Sequence, residues 1–355
     1  MLSQAIVEFG KPLEAVEAPT PVPTGTQVLL KVEYSGVCHS DVHIHDGYFD
    51  LGGGNKLSLA NIKFPHTLGH EIEGEVVALG PEAKGVTVGQ HYAAYPWIGC
   101  GECPACQRGE ENLCARPRQL GCSAGCPGGY ATHVLIPHPR YLLDFGKARP
   151  ELAAAYMCSG LTAFGAMKKV GKLGPNDQVV VLGCGGVGMM GVQFAKALFG
   201  GSNKNWGPIA ADIDEGRLEA ARKAGASATY NTKDPDAAKK LMADTGGGAY
   251  AVVDFVGSEA TFTFASKIVR KGGRVVIVGL FGGAMSMPIP MFPLRAIWLG
   301  GSYVGTLAEA QEMMALVREG KIDPIPVATR PLDQASRTLD DLRQGKIVGR
   351  VMLTP

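Results

Sequence analysis

Four cysteines fall close together as Cys100-x-x-Cys103-x-x-Cys106-x7-Cys114, in a segment that also holds Gly101, Pro104 and Gly109. Four thiolates satisfy tetrahedral zinc completely and leave no open position, so such a site is structural rather than catalytic. An iron–sulfur cluster also takes four thiolates. A second group is Cys38-His39-Ser40-Asp41-Val42-His43, with Gly69-His70-Glu71 downstream. A thiolate, an imidazole and nearby carboxylates suit a catalytic metal, in which a carboxylate orients the ligating ring. A three-ligand site needs one more donor, and Cys158 in Met157-Cys158-Ser159-Gly160-Leu161-Thr162 is the candidate. The third group is Gly183-Cys184-Gly185-Gly186-Val187-Gly188, which fits G-x-G-x-x-G. Its glycines permit a tight turn and let a pyrophosphate approach the positive end of a helix.

Those side chains need elements to hold them. Gln27 to Ser35 alternates as a strand does, and Ile72 to Leu79 is a second strand bounded by Gly80-Pro81. From about Glu151 the texture changes. Val179-Val180-Val181-Leu182 is a short apolar run typical of a buried parallel strand, and Val187 to Leu198 is helical. The glycine motif therefore lies between a strand and a helix, the context that gives it meaning. Ile209 to Asp212 is the next strand, and Asp214 caps a helix over Glu215 to Ala224 that ends at Gly225. Asp212 is the carboxylate expected to hold the ribose hydroxyls, with Asp214 as runner-up; the turn-rich stretch Gly200 to Gly207 accounts for the extra spacing from the motif. Acidic residues there favour NAD over NADP. Tyr250 to Phe255 and Arg274 to Gly279 are further strands, with a helix over Glu259 to Val269 between them. Alternating strands and helices imply a parallel sheet. Thr306-x-x-Glu309 is a capping box, a last helix ends near Gly345, and Val348 to Leu353 closes the chain as a strand that returns to the first domain.

Composition removes several classes. Hydrophobic residues are 46% and charged residues 19% of 355, which suits a folded core and not disorder. Lys+Arg against Asp+Glu is 34 to 33, so no basic surface for nucleic acid or acidic lipid is expected. The most apolar stretch, Val179 to Ala195, is rich in glycine and followed by Lys196, so no membrane span is expected. Met1 to Gly10 shows no basic stretch followed by an apolar one, so no secretory leader is expected there. The expectation is a cytoplasmic protein with nine reduced cysteines.

The three groups, in this order, resemble the zinc-dependent medium-chain alcohol dehydrogenases. The resemblance spans essentially the whole chain through GVCHSDVH, LGHEIEGEV, the four-cysteine lobe, MCSGLTAFGA, the glycine motif and GKIVGRVML. It implies an α/β protein: a GroES-like β-rich catalytic domain over 1–152 and 299–355, a zinc lobe at about 96–116, and an inserted Rossmann doubly wound parallel sheet over 153–298. It implies two zinc ions per chain. Cys38, His70 and Cys158 would hold the catalytic one, with Glu71 adjacent and Asp41 behind. Cys100, Cys103, Cys106 and Cys114 would hold the structural one, which sets the iron–sulfur reading aside. Ser40 would take the substrate proton and His43 would pass it on. The cofactor set would be Gly183, Gly185, Gly186, Val187, Gly188, Asp212 and Arg217, with His39 and Arg350 near the pyrophosphate and Thr162, Val278, Gly279 and Leu280 near the nicotinamide. The implied partners are NAD and a small primary or secondary alcohol with its aldehyde or ketone, and the implied assembly is a homo-oligomer, with a tetramer favoured.

The chain also departs from the family. Val88-Gly89-Gln90-His91 stands where many members have an Asp-Arg pair, and the stretch Gly47 to Pro65 is long. Tyr48, Phe49 and Trp97 flank ligand segments and could line a pocket; His45, His66, His91, His133 and His138 read as ordinary histidines, and Cys122 and Cys126 have no assigned role. Three rivals remain: a polyol or sugar dehydrogenase of the same superfamily, a zinc-free quinone reductase, and a non-catalytic protein that binds zinc and a dinucleotide.

Overall fold

The computed structural model describes residues 1–201 and 206–355, so the stretch Gly200 to Gly207 lies partly outside the described residues. The chain forms two compact units. The first comprises Met1–Phe49, Ser58–Leu161 and Thr306–Pro355; the second comprises Asp50–Leu57 and Thr162–Gly305. Helical backbone runs from Pro150 through to Lys168, across the first expected edge at 152/153.

The first unit is built on a seven-stranded sheet. Val28–Gly36 lies centrally and pairs antiparallel with Glu71–Leu79, which pairs in turn with His91–Ala94. Its other edge takes His133–Ile136 and the C-terminal strand Arg350–Thr354, the latter through Met352 opposite Gly36. The tail therefore returns to the first domain. Alternation along Val28–Gly36 buries Leu30 and Val32 while leaving Lys31 exposed. A second core, with Ile6, Leu68, Tyr130, Leu339 and Leu353, sits under the helices His39–Asp46 and Ala335–Arg343.

The second unit is a six-stranded parallel sheet ordered Ala228–Asn231, Ile209–Asp212, Val179–Leu182, Ala249–Asp254, Val269–Ile277, Trp298–Gly301. That order is the doubly wound dinucleotide pattern, reversing beside Val179–Leu182. This strand is wholly buried and uniformly apolar, as a central parallel strand must be. Sequence patterning passed over the two edge strands. Ala228–Asn231 is half-buried throughout, and Trp298–Gly301 is glycine-rich, so neither shows a clean apolar run. The hairpin Tyr48–Gly52 to Asn55–Ser58 occupies the long stretch after the first ligand segment. Gly52, Gly53 and Gly54 have φ of 80°, 60° and 83°, a run of left-handed backbone that only glycine adopts without strain. No helix among the described residues is long and apolar enough to cross a membrane.

Candidate metal centre and dinucleotide loop

Cys38 lies where the strand Val28–Gly36 gives way to the helix His39–Asp46, and it caps that helix. Asp41, buried in the first turn, accepts from the Cys38 backbone N–H through Oδ2 at 2.9 Å. The same carboxylate accepts from Tyr130 Oη at 3.2 Å and, through Oδ1, from His70 Nδ1 at 3.2 Å. His70 precedes the strand Glu71–Leu79 and is 0% exposed. Cys158 comes from a π-helical turn, Tyr156–Gly160, a widening of the helix that is frequent at functional sites. The indole of Trp97 fixes that turn by donating to Met157 O at 2.9 Å, and its ring stands 5.4 Å from the His70 ring.

These elements bring together three donors from distant parts of the first unit. The ligand atoms of Cys38, His70 and Cys158 lie within 4.8 Å of one another, all buried. The two sulfurs are 3.9 Å apart. Zinc–sulfur bonds of about 2.3 Å place two corners of a tetrahedron about 3.8 Å apart, so the spacing fits. His70 Nε2 is buried and has no hydrogen-bond partner, which an imidazole in a dry interior tolerates when a metal occupies that direction. The two thiols titrate in opposite directions. Their mutual hydrogen bond pushes Cys38 down and Cys158 up, and a metal ion held between them would bind both as thiolates. Glu71 is 0% exposed; its Oε1 accepts from Ser159 N at 3.3 Å and from the Arg350 guanidinium, while Oε2 is unpartnered. Burial raises the Glu71 carboxyl against the pull of Arg350. The Arg350 pairing with Glu71 carried no signal in the sequence, because 279 residues separate them. Ser40 Oγ is 4.0 Å from Cys38 Sγ, and His43 follows one helical turn on, its ring 4.9 Å from that of Phe49.

The four-cysteine lobe also closes on itself. Its ligand atoms lie within 4.8 Å, with Cys103 to Cys106 at 3.5 Å and Cys103 to Cys114 at 3.8 Å. Backbone N–H groups of Glu102 and Cys103 draw the Cys100 thiol down to about 6, whereas burial pushes Cys106 up to about 12. Cys100, Cys103, Cys106 and Cys114 would hold a metal ion as thiolates, which would resolve that imbalance. All nine cysteines are free thiols.

In the second unit, Gly183 to Gly188 runs from the strand into the helix Gly186–Phe199. A methyl group on Gly188 would come within 1.8 Å of Gly183 O, so that position is closed to any side chain. Gly185, which caps the helix, has nothing within 4 Å of where a Cβ would stand. The loop is thus tight beneath and open at the helix N-terminus, a cradle suited to a pyrophosphate. Asp212 ends its strand as expected, and its carboxylate also holds the loop: Oδ2 accepts from Cys184 N at 2.6 Å and Oδ1 from Asp214 N at 3.0 Å. Asp214 is instead occupied as a helix cap, accepting from Arg217 N at 2.9 Å. The Arg217 guanidinium lies 4.0 Å from Asp212 Oδ1. Val278 and Gly279 donate to Asp254 O at 2.9 and 3.1 Å, and Leu280 is half exposed. Thr162 belongs to this second unit, while His39, exposed, and Arg350, buried, belong to the first.

Residues 24–145 match the alcohol dehydrogenase GroES-like domain, and residues 186–319 match the zinc-binding dehydrogenase family. The chain is 39% identical to an NAD-dependent alcohol dehydrogenase of Sulfurisphaera tokodaii and 38% identical to one of Saccharolobus solfataricus, covering 100% of both chains in each case. A crystal structure of an NAD-dependent alcohol dehydrogenase superposes with a TM-score of 0.88 at 30% identity, over 100% of each chain. The chain belongs to the zinc-dependent medium-chain alcohol dehydrogenases. It is an oxidoreductase of that family, with a GroES-like unit and a Rossmann unit. Two features of this dehydrogenase escaped sequence reading for want of any local signal. Tyr130 reaches Asp41 from 89 residues away, and Trp97 fastens the turn that bears Cys158.

Proposed function

We propose that the chain oxidises a primary or secondary alcohol with NAD, reversibly, using a catalytic zinc held by Cys38, His70 and Cys158 and a structural zinc held by Cys100, Cys103, Cys106 and Cys114. The observation that carries this reading is the buried, unpartnered Nε2 of His70 facing the same small volume as two thiols. When bound, zinc supplies a Lewis acid able to draw an alcohol pKa from ~16 toward ~7, about 12 kcal/mol of differential stabilisation, and NAD supplies the hydride acceptor.

The chain's own residues do the rest. Asp41 accepts from His70 Nδ1, which fixes the tautomer and leaves Nε2 to bind. Trp97 and the buried walls exclude water and keep the local dielectric low. In this reading Ser40 takes the hydroxyl proton and His43 moves it toward solvent. Glu71, held by Arg350, stands ready beside the thiols as an adjacent carboxylate. Gly183 to Gly188 and Asp212 seat the pyrophosphate and the ribose, with Arg217, Val278, Gly279, Leu280 and Thr162 of the same unit completing the cofactor set there. Asp212 is a carboxylate where a 2′-phosphate would lie, which supports NAD over NADP.

Free thiols throughout support a cytoplasmic setting. Exposed apolar side chains at Phe281, Met285, Ile289, Leu294 and Trp298 support a homo-oligomer, a tetramer by family likeness. The deciding experiment follows NADH absorbance over primary, secondary, aromatic and polyol substrates, with NADP in a parallel arm and metal content measured on the same preparation. Turnover with NAD on simple alcohols and zinc at both cysteine sites are expected. Turnover confined to polyols favours the sugar or polyol reading, and no turnover with zinc-loaded protein overturns the dehydrogenase reading.

His43→Ala is expected to slow alcohol oxidation about tenfold or more near neutral pH. The deficit should shrink at high pH, where hydroxide in solvent accepts the proton directly. A pH–rate profile that keeps the native shape would remove His43 from the relay.

A further inference from the structure

Three adjacent strands of the first unit carry a separate donor set. Glu33 lies on Val28–Gly36, Glu73 on Glu71–Leu79 and His91 on His91–Ala94. The register explains how they meet. Val32 pairs with Gly74 but Tyr34 pairs with Glu73, so Glu33 is the extra residue of a bulge. A bulge re-aims the side chain it carries, and here it turns Glu33 toward its neighbours on the next strands. Glu75 pairs with His91, which sets His91 diagonally beside Glu73 on the same face.

The resulting spacing is that of ligands. His91 Nδ1 is 3.0 Å from Glu73 Oε1 and 3.7 Å from Glu33 Oε2. One donor atom from each residue lies within 4.8 Å of the other two. Nitrogen and oxygen ligands at about 2.0–2.2 Å from an ion stand about 3 to 3.5 Å apart, so only half-exposed Glu33 must shift.

Charge makes a cation the missing partner. The Glu73 side chain is 0% exposed, and its Oε2 is buried with no hydrogen-bond partner. A buried carboxylate is costly unless paired. The nearby Arg149 is committed elsewhere, pairing with Glu151. That leaves two carboxylates facing one imidazole. His91 and Glu33 are 36% and 41% exposed at the side chain, which gives an ion a way in from solvent.

We propose that Glu33, Glu73 and His91 form a third metal site, for a first-row divalent cation such as zinc, distinct from both cysteine sites. One imidazole and two carboxylates suit such an ion, with water filling the remaining positions. The ion clamps the three strands on the sheet that also delivers His70 and Glu71.

The test is equilibrium dialysis of the intact, zinc-replete protein against zinc, comparing the native chain with Glu73→Gln and His91→Asn. The native chain should bind one more zinc per chain than either variant, or bind it at least about tenfold more tightly. Added zinc should raise the melting temperature of the native chain and not that of the variants. His91→Asn alters a half-exposed position, so it keeps the test valid should Glu73→Gln fold poorly. Both variants should retain alcohol turnover, which separates this result from the fate of the catalytic proposal. Equal zinc binding in the native chain and His91→Asn would overturn the site and leave a proton shared between Glu73 and His91 in its place.

Discussion

Replacing Cys38 with serine is expected to lower kcat for alcohol oxidation at least about a thousandfold, because a metal's contribution of several kcal/mol to the barrier is lost with it. A serine hydroxyl is not ionised near neutral pH and is a poor partner for a soft borderline ion, so the three-donor set loses the group its geometry depends on. The fold should survive. Cys38 caps its helix through its backbone N–H to Asp41, and serine keeps that donor. Serine is also a favourable cap in its own right. Metal content should fall by one ion per chain while the ion of the four-cysteine lobe stays, since that lobe shares no residue with the Cys38 set. Circular dichroism and melting temperature check the fold, metal analysis checks the ion, and NADH formation checks the rate. Near-native turnover would exclude Cys38 as a ligand.

Arg350→Met is expected to cost about 3–5 kcal/mol of stability, the usual result of removing one partner of a buried ion pair. Arg350 is 4% exposed and Glu71 0% exposed, and the guanidinium donates to Glu71 Oε1. Methionine fills most of the volume but leaves Glu71 with only the Ser159 N–H. The deficit should depend on pH. Burial already raises the Glu71 carboxyl in the folded state, and losing Arg350 raises it further. An acid whose folded pKa lies above its unfolded value binds more protons when folded. The destabilisation is therefore small in acid and grows as pH rises through the folded-state pKa of Glu71. Denaturant midpoints for Arg350→Met at two pH values test this, and adding Glu71→Gln should recover most of the loss. A pH-independent loss, or no recovery in the double variant, would show that Arg350 acts through packing alone.

Much of the protein is legible in local sequence because its chemistry is written at short range. The four-cysteine lobe spans residues 100 to 114, and its closure depends on little beyond its own turns. The glycine loop is legible for the same reason: Gly188 faces Gly183 O within one strand–turn–helix unit. The inner strands of the parallel sheet declare themselves because burial on both faces demands continuous apolar residues. Edge strands such as Ala228–Asn231 lack that demand and stay silent.

Sequence by itself determined the donor types, the glycine spacing and the order of strands and helices, since each follows from covalent neighbours and local periodicity. Only the tertiary structure decided which distant groups share a volume. It set Cys158 3.9 Å from Cys38 and left His70 Nε2 facing them without a partner. It closed the Arg350–Glu71 pair across 279 residues, and a single-residue bulge brought Glu33 to Glu73 and His91. Such meetings depend on strand register and helix packing, quantities fixed by the whole folded chain and by no single segment of it.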